Sequence, residues 1–131
     1  MSQVPNQSIK ANKYRTHTNS QLTKADVGRT ARLAGWVHAR RDHGGLIFID
    51  IRDQWGLTQL TFNPKLRSQA FTLAETLRSE YVITVSGKVT ARPKEMVNKK
   101  LSTGEIEIQV EQLEILNTSK TPPFAISDEQ S

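Results

Sequence analysis

The sequence predicts an all-β domain with one helix: a five-stranded Greek-key barrel whose helix lies between strands three and four. Three observations predict it. Short runs of alternating apolar and polar residues recur along the chain, Gly- and Asn-bearing turns separate them, and one stretch changes from a period of two to helical spacing. The 131 residues suffice for one domain with its own core.

The first strand is TARLAGWVHAR, Thr30 to Arg40, with Ala31, Leu33, Gly35, Val37 and Ala39 on one face. Arg41 to Gly45 is the turn that follows, and Gly44-Gly45 can take positive φ. Leu46 to Asp53 is the second strand; Ile47, Ile49 and Ile51 point inward, leaving Leu46, Phe48, Asp50 and Arg52 outside. A turn at Gln54-Trp55-Gly56 leads into the third strand, Leu57 to Phe62. Asn63 suits an N-cap and Pro64 a first helical turn. Leu66, Ala70, Leu73, Ala74 and Leu77 then share one helical face. Tyr81 to Ala91 is the fourth strand, Arg92 to Gly104 a polar loop, and Glu105 to Asn117 the fifth strand. Leu113 and Ile115 fall out of phase with Ile106, Ile108 and Val110, which predicts a bulge near Glu111 or Gln112. This order matches the barrel of oligonucleotide- and oligosaccharide-binding (OB) domains; an open antiparallel sheet under one helix fits the same periodicities.

Residues 1–13 read as a disordered basic arm, 14–117 as the barrel and 118–131 as a linker containing Pro122-Pro123. The stretch to Ala25 has basic residues and no acid, but its Asn and Gln content and lack of amphipathic period favour a loose arm over a transit peptide. Eighteen Lys and Arg against 13 Asp and Glu give a net charge of +5. Eight of the basic residues and only two of the acidic ones lie before Leu46, which suits a polyanionic partner for that part of the surface. With no cysteine, disulfides, cysteine zinc sites and thiol nucleophiles are excluded. No apolar run is long enough for a membrane span.

Phe48 is an aromatic on a face otherwise holding charge, which is what a stacking nucleobase needs, although packing under a loop explains it equally well. Gln59, on the adjoining strand, offers an amide donor and acceptor that could read a base edge. Arg40 and Arg41 could hold phosphates or lie in a solvated turn, and Glu107 reads as surface charge. His17, His38 and His43 lack metal-ligand spacing, and Asp50 and Asp53 sit on opposite strand faces. There is no Gly-rich phosphate cradle and no nucleophile motif, so neither a catalytic nor a metal site is expected.

The stretch from Tyr14 to Pro64, above all GWVHARRDHGGLIFIDIRD, resembles the start of bacterial-type aspartyl-tRNA synthetases. LRSEYVITVSGKVTARP and TGEIEIQVEQLEILN are similar to the same family, so the resemblance runs from about Tyr14 to Phe124. It implies an N-terminal anticodon-binding domain of an aspartate–tRNA ligase, a class II enzyme that attaches aspartate to its tRNA using ATP. It also implies a cytoplasmic, homodimeric parent enzyme whose catalytic domain, with ATP and magnesium, lies beyond the linker, leaving this piece without cofactor or catalysis of its own. Carried over by position, Phe48 stacks on the central anticodon uridine, Gln59 reads its edge, Arg41 contacts the anticodon and Glu107 approaches the first anticodon base. Arg92 and Asn98 fall in the loop before strand five, where ARPKEMVNKK departs from the family's more acidic wording. His43 matches a position that varies with tRNA choice, and a histidine there leans toward enzymes charging both aspartate and asparagine tRNA. A free-standing module that binds single-stranded nucleic acid without a catalytic partner is the alternative.

Overall fold

The computed structural model describes residues 14–66 and 69–119. Five strands close into a barrel: β1 (Thr30–His43), β2 (Leu46–Arg52), β3 (Leu57–Phe62), β4 (Val82–Ala91) and β5 (Ile106–Asn117), in the spatial order β1-β2-β3-β5-β4. The one α-helix among the described residues, α1 (Gln69–Ala74), lies between β3 and β4 in the chain. Every pairing is antiparallel except β3 with β5. That parallel pair needs a long crossover, and α1 with β4 supplies it. Because β1 pairs with both β2 and β4, the sheet has no free edge on that side and the open-sheet alternative is ruled out.

The interior is built from the alternation read in the sequence. Ile47, Ile49 and Ile51 meet Leu33, Val85 and Ile108 inside the barrel, all essentially without solvent contact. The first turn is tighter than expected: β1 runs on through His43, and only Gly44-Gly45 reverse the chain, with φ of 60° and 85°. Two consecutive positive φ values match the hairpin turn whose twist suits the flanking strands. The bulge predicted in β5 is present at Glu111, because Gln112 pairs with Ser86 while Val110 pairs with Gly87. Gly87 is required there, since a Cβ would run into the Gln109 carbonyl.

Three expectations need correction. A second bulge, in β1, was not foreseen: Val37 pairs with Ile51 and Ala39 with Asp50, so His38 is the extra residue. The phase therefore reverses after Val37, sending Arg41 to the outer face with Asp50 while Arg40 turns to the end of α1. There Arg40 donates to the carbonyls of Glu75 at 3.0 Å, Ala74 at 3.4 Å and Leu77 at 3.5 Å, satisfying acceptors that the helix leaves open. The helix is also shorter than its spacing suggested. A 3₁₀ turn at Pro64–Leu66, capped by Asn63 through the Lys65 N–H, precedes α1, so Leu66 drops off the stripe. Ala70, Ala74 and Leu77 are buried, whereas Leu66 and Leu73 are exposed.

The third correction concerns the N-terminal stretch. Residues 1–13 and 120–131 lie outside the described residues, but Tyr14 to Leu22 is a packed strap rather than a loose arm. Arg15, Thr18, Asn19 and Leu22 are buried. Thr16 exchanges hydrogen bonds with the Arg32 backbone, and Asn19 donates through Nδ2 to the Ala34 carbonyl at 3.0 Å. The Arg15 guanidinium lies 4.9 Å from the centroid of the Trp55 ring. Polar side chains bonded to backbone produce no periodicity, which is why pattern reading missed the strap.

Candidate nucleic-acid interface

Strand register sets out the outer face as two adjacent rows. One row runs Ala39, Asp50, Gln59, Glu107, Thr90 across five strands; the other runs Arg41, Phe48, Thr61, Gln109, Lys88. Neighbours within a row are one strand spacing apart, about 4.8 Å, and the rows about 7 Å apart. The β1 bulge places Arg41 in this lattice, and the parallel β3–β5 pairing brings Glu107 beside Gln59.

The polar row is bonded into one network. Arg41 grips Asp50 through Nη1 and Nη2, at 2.7 and 3.1 Å, and donates to Gln59 Oε1 at 3.1 Å. Arg92 donates to the same oxygen at 3.2 Å, and to the carbonyls of Ile106 at 2.9 Å and Met96 at 3.2 Å. Gln59 Nε2 in turn donates to Glu107 at 2.8 Å. Two guanidiniums face two carboxylates through one carboxamide, so the cluster is neutral as a whole. Hydrogen bonding to Asp50 raises the Arg41 pKa. Burial lowers that of Arg92, opposed by Asp50 and Glu107 and reinforced by Arg41. Both remain cations, since a guanidinium starts so far above neutrality.

Five of the expected residues therefore share one face, with exposures that differ from the sequence reading. Phe48 has the outward phase that alternation gave it and belongs to neither core cluster, yet it is only 6 % exposed. It is largely covered, not an open platform. Gln59 is 2 % exposed and its amide is already engaged. Arg92 follows β4 directly and is 8 % exposed, so it is an anchor inside the network and not a reaching loop residue. Arg41 is the accessible member, with its side chain 45 % exposed. Asn98 and His43 are not drawn in. Asn98 is exposed, and its Oδ1 accepts from the Lys100 N–H to close the β4–β5 loop; His43 is exposed beside the hairpin turn.

Sequence reasoning missed two members. Asp50 was placed outside but given no part, and Thr61, which shares the face of Gln59, was not singled out. Register supplies what alternation lacks: which outward residues are neighbours. The Oγ1 of Thr61 and the Nη2 of Arg92 are buried with no hydrogen-bond partner among the described residues. Unpaired donors at that depth are costly and are expected where a ligand group completes them.

Beside the network, the β4–β5 loop carries exposed Lys94, Lys99 and Lys100. It is tied to the barrel by Thr103 donating to the Leu57 carbonyl and Ser102 to the Ser20 carbonyl. In barrels of this type, this loop and the face of strands two and three bind oligonucleotides.

The family of OB-fold nucleic acid binding domains that takes its name from the tRNA anticodon matches residues 31–116. The chain belongs to that family. It is 54 % identical over 119 residues to the aspartate–tRNA(Asp/Asn) ligase of Rubrobacter xylanophilus, covering 91 % of this chain and 20 % of that protein. It is 56 % identical over 115 residues to the ligase of the same name from Protochlamydia amoebophila, covering 88 % and 19 %. Among solved structures it is similar to asparaginyl-tRNA synthetase from Pyrococcus horikoshii, with a TM-score of 0.65 and 27 % identity over 87 % of this chain and 26 % of that one. The chain thus spans about a fifth of the length of the curated relatives it matches. The family resemblance seen in GWVHARRDHGGLIFIDIRD is borne out.

Among the described residues no group of three His, Asp or Glu could hold a metal ion, and Asp50 and Glu107 on the outer face are taken up by Arg41 and Gln59. No described helix is long and apolar enough to cross a membrane.

Proposed function

We propose that this chain is the anticodon-binding domain of an aspartate–tRNA ligase, and that the outer face of β1, β2, β3 and β5 receives the anticodon. One observation carries the reading: four side chains of suitable chemistry, Arg41, Phe48, Gln59 and Glu107, occupy two neighbouring rows of a domain in this family, and Arg92 bonds to Gln59 beside them. Phe48 supplies the aromatic ring for the central uridine, Gln59 faces that base, and Glu107 offers an acceptor for amine donors of the first anticodon base. Arg41 is the accessible contact of the neutral cluster and Arg92 its anchor, while the exposed Lys94, Lys99 and Lys100 supply the positive charge toward the phosphates. Asn98 shapes the loop that presents those lysines. His43, together with the Asp/Asn naming of the relatives, supports service to both aspartate and asparagine tRNA.

In this proposal ATP, magnesium and aspartate act in a separate catalytic domain of a homodimeric cytoplasmic enzyme, and this domain contributes recognition. The test is fluorescence titration of the 131-residue protein with an anticodon stem-loop, beside a charging assay with full-length tRNA, ATP and aspartate. Salt-sensitive binding that prefers the central uridine over cytidine, without charging, is expected. Binding indifferent to both salt and base would refute anticodon recognition.

A further inference from the structure

The Gln59 carboxamide has almost no hydrogen-bonding capacity left. Its oxygen has two lone pairs, and Arg41 and Arg92 occupy both; its nitrogen has two hydrogens, and Glu107 takes one. Only one N–H remains. The amide cannot turn over, because a flipped NH₂ would confront two guanidinium donors and the oxygen would confront a carboxylate. The orientation depends on where Arg41 sits, and Arg41 is held by the two-pronged grip of Asp50, whose side chain is 16 % exposed. Among the described residues the Arg41 side chain bonds only to Asp50 and Gln59, so without that grip a long, half-exposed side chain would sample many rotamers.

We infer that Asp50 is a positioning residue that, through Arg41, locks Gln59 as a hydrogen-bond donor, so that this face selects a base offering a keto oxygen and rejects one offering an amine there. The inference rests on the proposed anticodon reading and refines it. A freely rotating Gln could donate to a uracil carbonyl or accept from a cytosine amine, and would discriminate poorly. The locked carboxamide presents one N–H and nothing else, so uracil O4 is accepted and the N4 amine of cytosine leaves two donors facing each other. Selectivity then comes from Asp50 as much as from the residue that meets the base.

The experiment is a double-mutant cycle on the 131-residue protein, using Asp50→Asn and Gln59→Ala, with stem-loops carrying uridine or cytidine at the central position. Asp50→Asn keeps the side-chain shape, and circular dichroism melting checks that it folds. The uridine-over-cytidine ratio should fall about tenfold in Asp50→Asn, the worth of one well-placed hydrogen bond. In the Gln59→Ala background the same substitution should leave the ratio unchanged. Equal weakening toward both RNAs, tighter binding of both, or an effect that persists without Gln59 would each overturn the inference. The Gln59 side-chain amide resonances, followed without RNA, separate this claim from the functional reading. They should shift in Asp50→Asn, and unchanged resonances would overturn the positioning role whatever the RNA does. Shifted resonances in a protein with no base preference would instead sink the anticodon reading and leave the positioning role standing.

Discussion

Asp50 and Asp53 lie three residues apart at the end of β2 and meet opposite fates. Asp53, just past the strand, accepts from the backbone N–H groups of Asn19 at 2.9 Å, Trp55 at 2.8 Å and Gly56 at 2.9 Å. It pins the N-terminal strap to the β2–β3 turn, with Arg15 stacked on Trp55 alongside. Asp50, on the outer face, accepts only from a side chain, that of Arg41. The first cluster fastens main chain to main chain and has one unpaired side-chain atom, Asn19 Oδ1. The second joins side chain to side chain and leaves donors at Arg92 and Thr61 unpaired. A carboxylate that satisfies backbone serves the fold. One that arranges other side chains beside unpaired donors serves a ligand, and the two are separable by mutation.

The largest effect expected is at Asp53. Asp53→Ala strands three backbone donors and should cost about 3 kcal/mol of stability in urea unfolding, while leaving the uridine preference of the folded protein intact. A lost preference with unchanged stability would reverse the contrast between the two clusters. Phe48→Ala comes next and straddles both. Because the ring is buried, it should cost about 3 kcal/mol of stability, and about 1–3 kcal/mol of stem-loop binding as well. An unchanged melting temperature would mean that the ring stands open in solution. Gln59→Ala should reduce discrimination between uridine and cytidine by about 1–2 kcal/mol, measured as a ratio of dissociation constants.

Smaller effects sharpen the comparison further. Replacing Lys99 and Lys100 by Gln should lower the slope of log K against log salt by about 0.7 for each lysine that meets a phosphate. The smallest effect is on pH dependence. Burial holds the Asp53 carboxyl above its ordinary 3.8, against three backbone N–H donors and the charge of Arg15. The folded state therefore binds this proton more tightly than the unfolded chain does. The resulting contribution is fully present below pH 3.8 and is lost as pH rises through the raised value. Unfolding of wild type and Asp53→Asn, compared between about pH 3 and 6, should show the wild type gaining relative stability toward acid. A trend of opposite sign would mean that the backbone donors outweigh burial.

The barrel was legible because its information is periodic. Ile47, Ile49 and Ile51 fix the inner face of β2, and the phase slip between Val110 and Leu113 announces the bulge at Glu111. The bulge at His38 left no such trace, since Ala39 and Arg40 fit either face, and so the aim of Arg41 was hidden. Phe48 was given the right side of the strand but the wrong exposure: alternation assigns direction, whereas cover depends on residues that register brings from other strands. The strap was opaque for a related reason, as hydrogen bonds from Thr16 and Asn19 to distant backbone have no local signature. Alternation singled out Phe48 and Gln59, family resemblance gave roles to these two and to Arg41 and Glu107, and their linkage through Asp50 needed coordinates.

The central claim is that the Asp50 cluster, and not the Asp53 cluster, is where nucleic acid binds. Titrating the ¹⁵N-labelled protein with an anticodon stem-loop and following side-chain and backbone resonances tests it directly. Shifts concentrated on Arg41, Phe48, Gln59, Thr61 and Glu107, with Arg15, Asn19 and Trp55 undisturbed, are the predicted result. Shifts centred on the strap, or on the cavity beside Arg32, Ser86 and Gln112 on the β4–β5 side of the barrel, would contradict it.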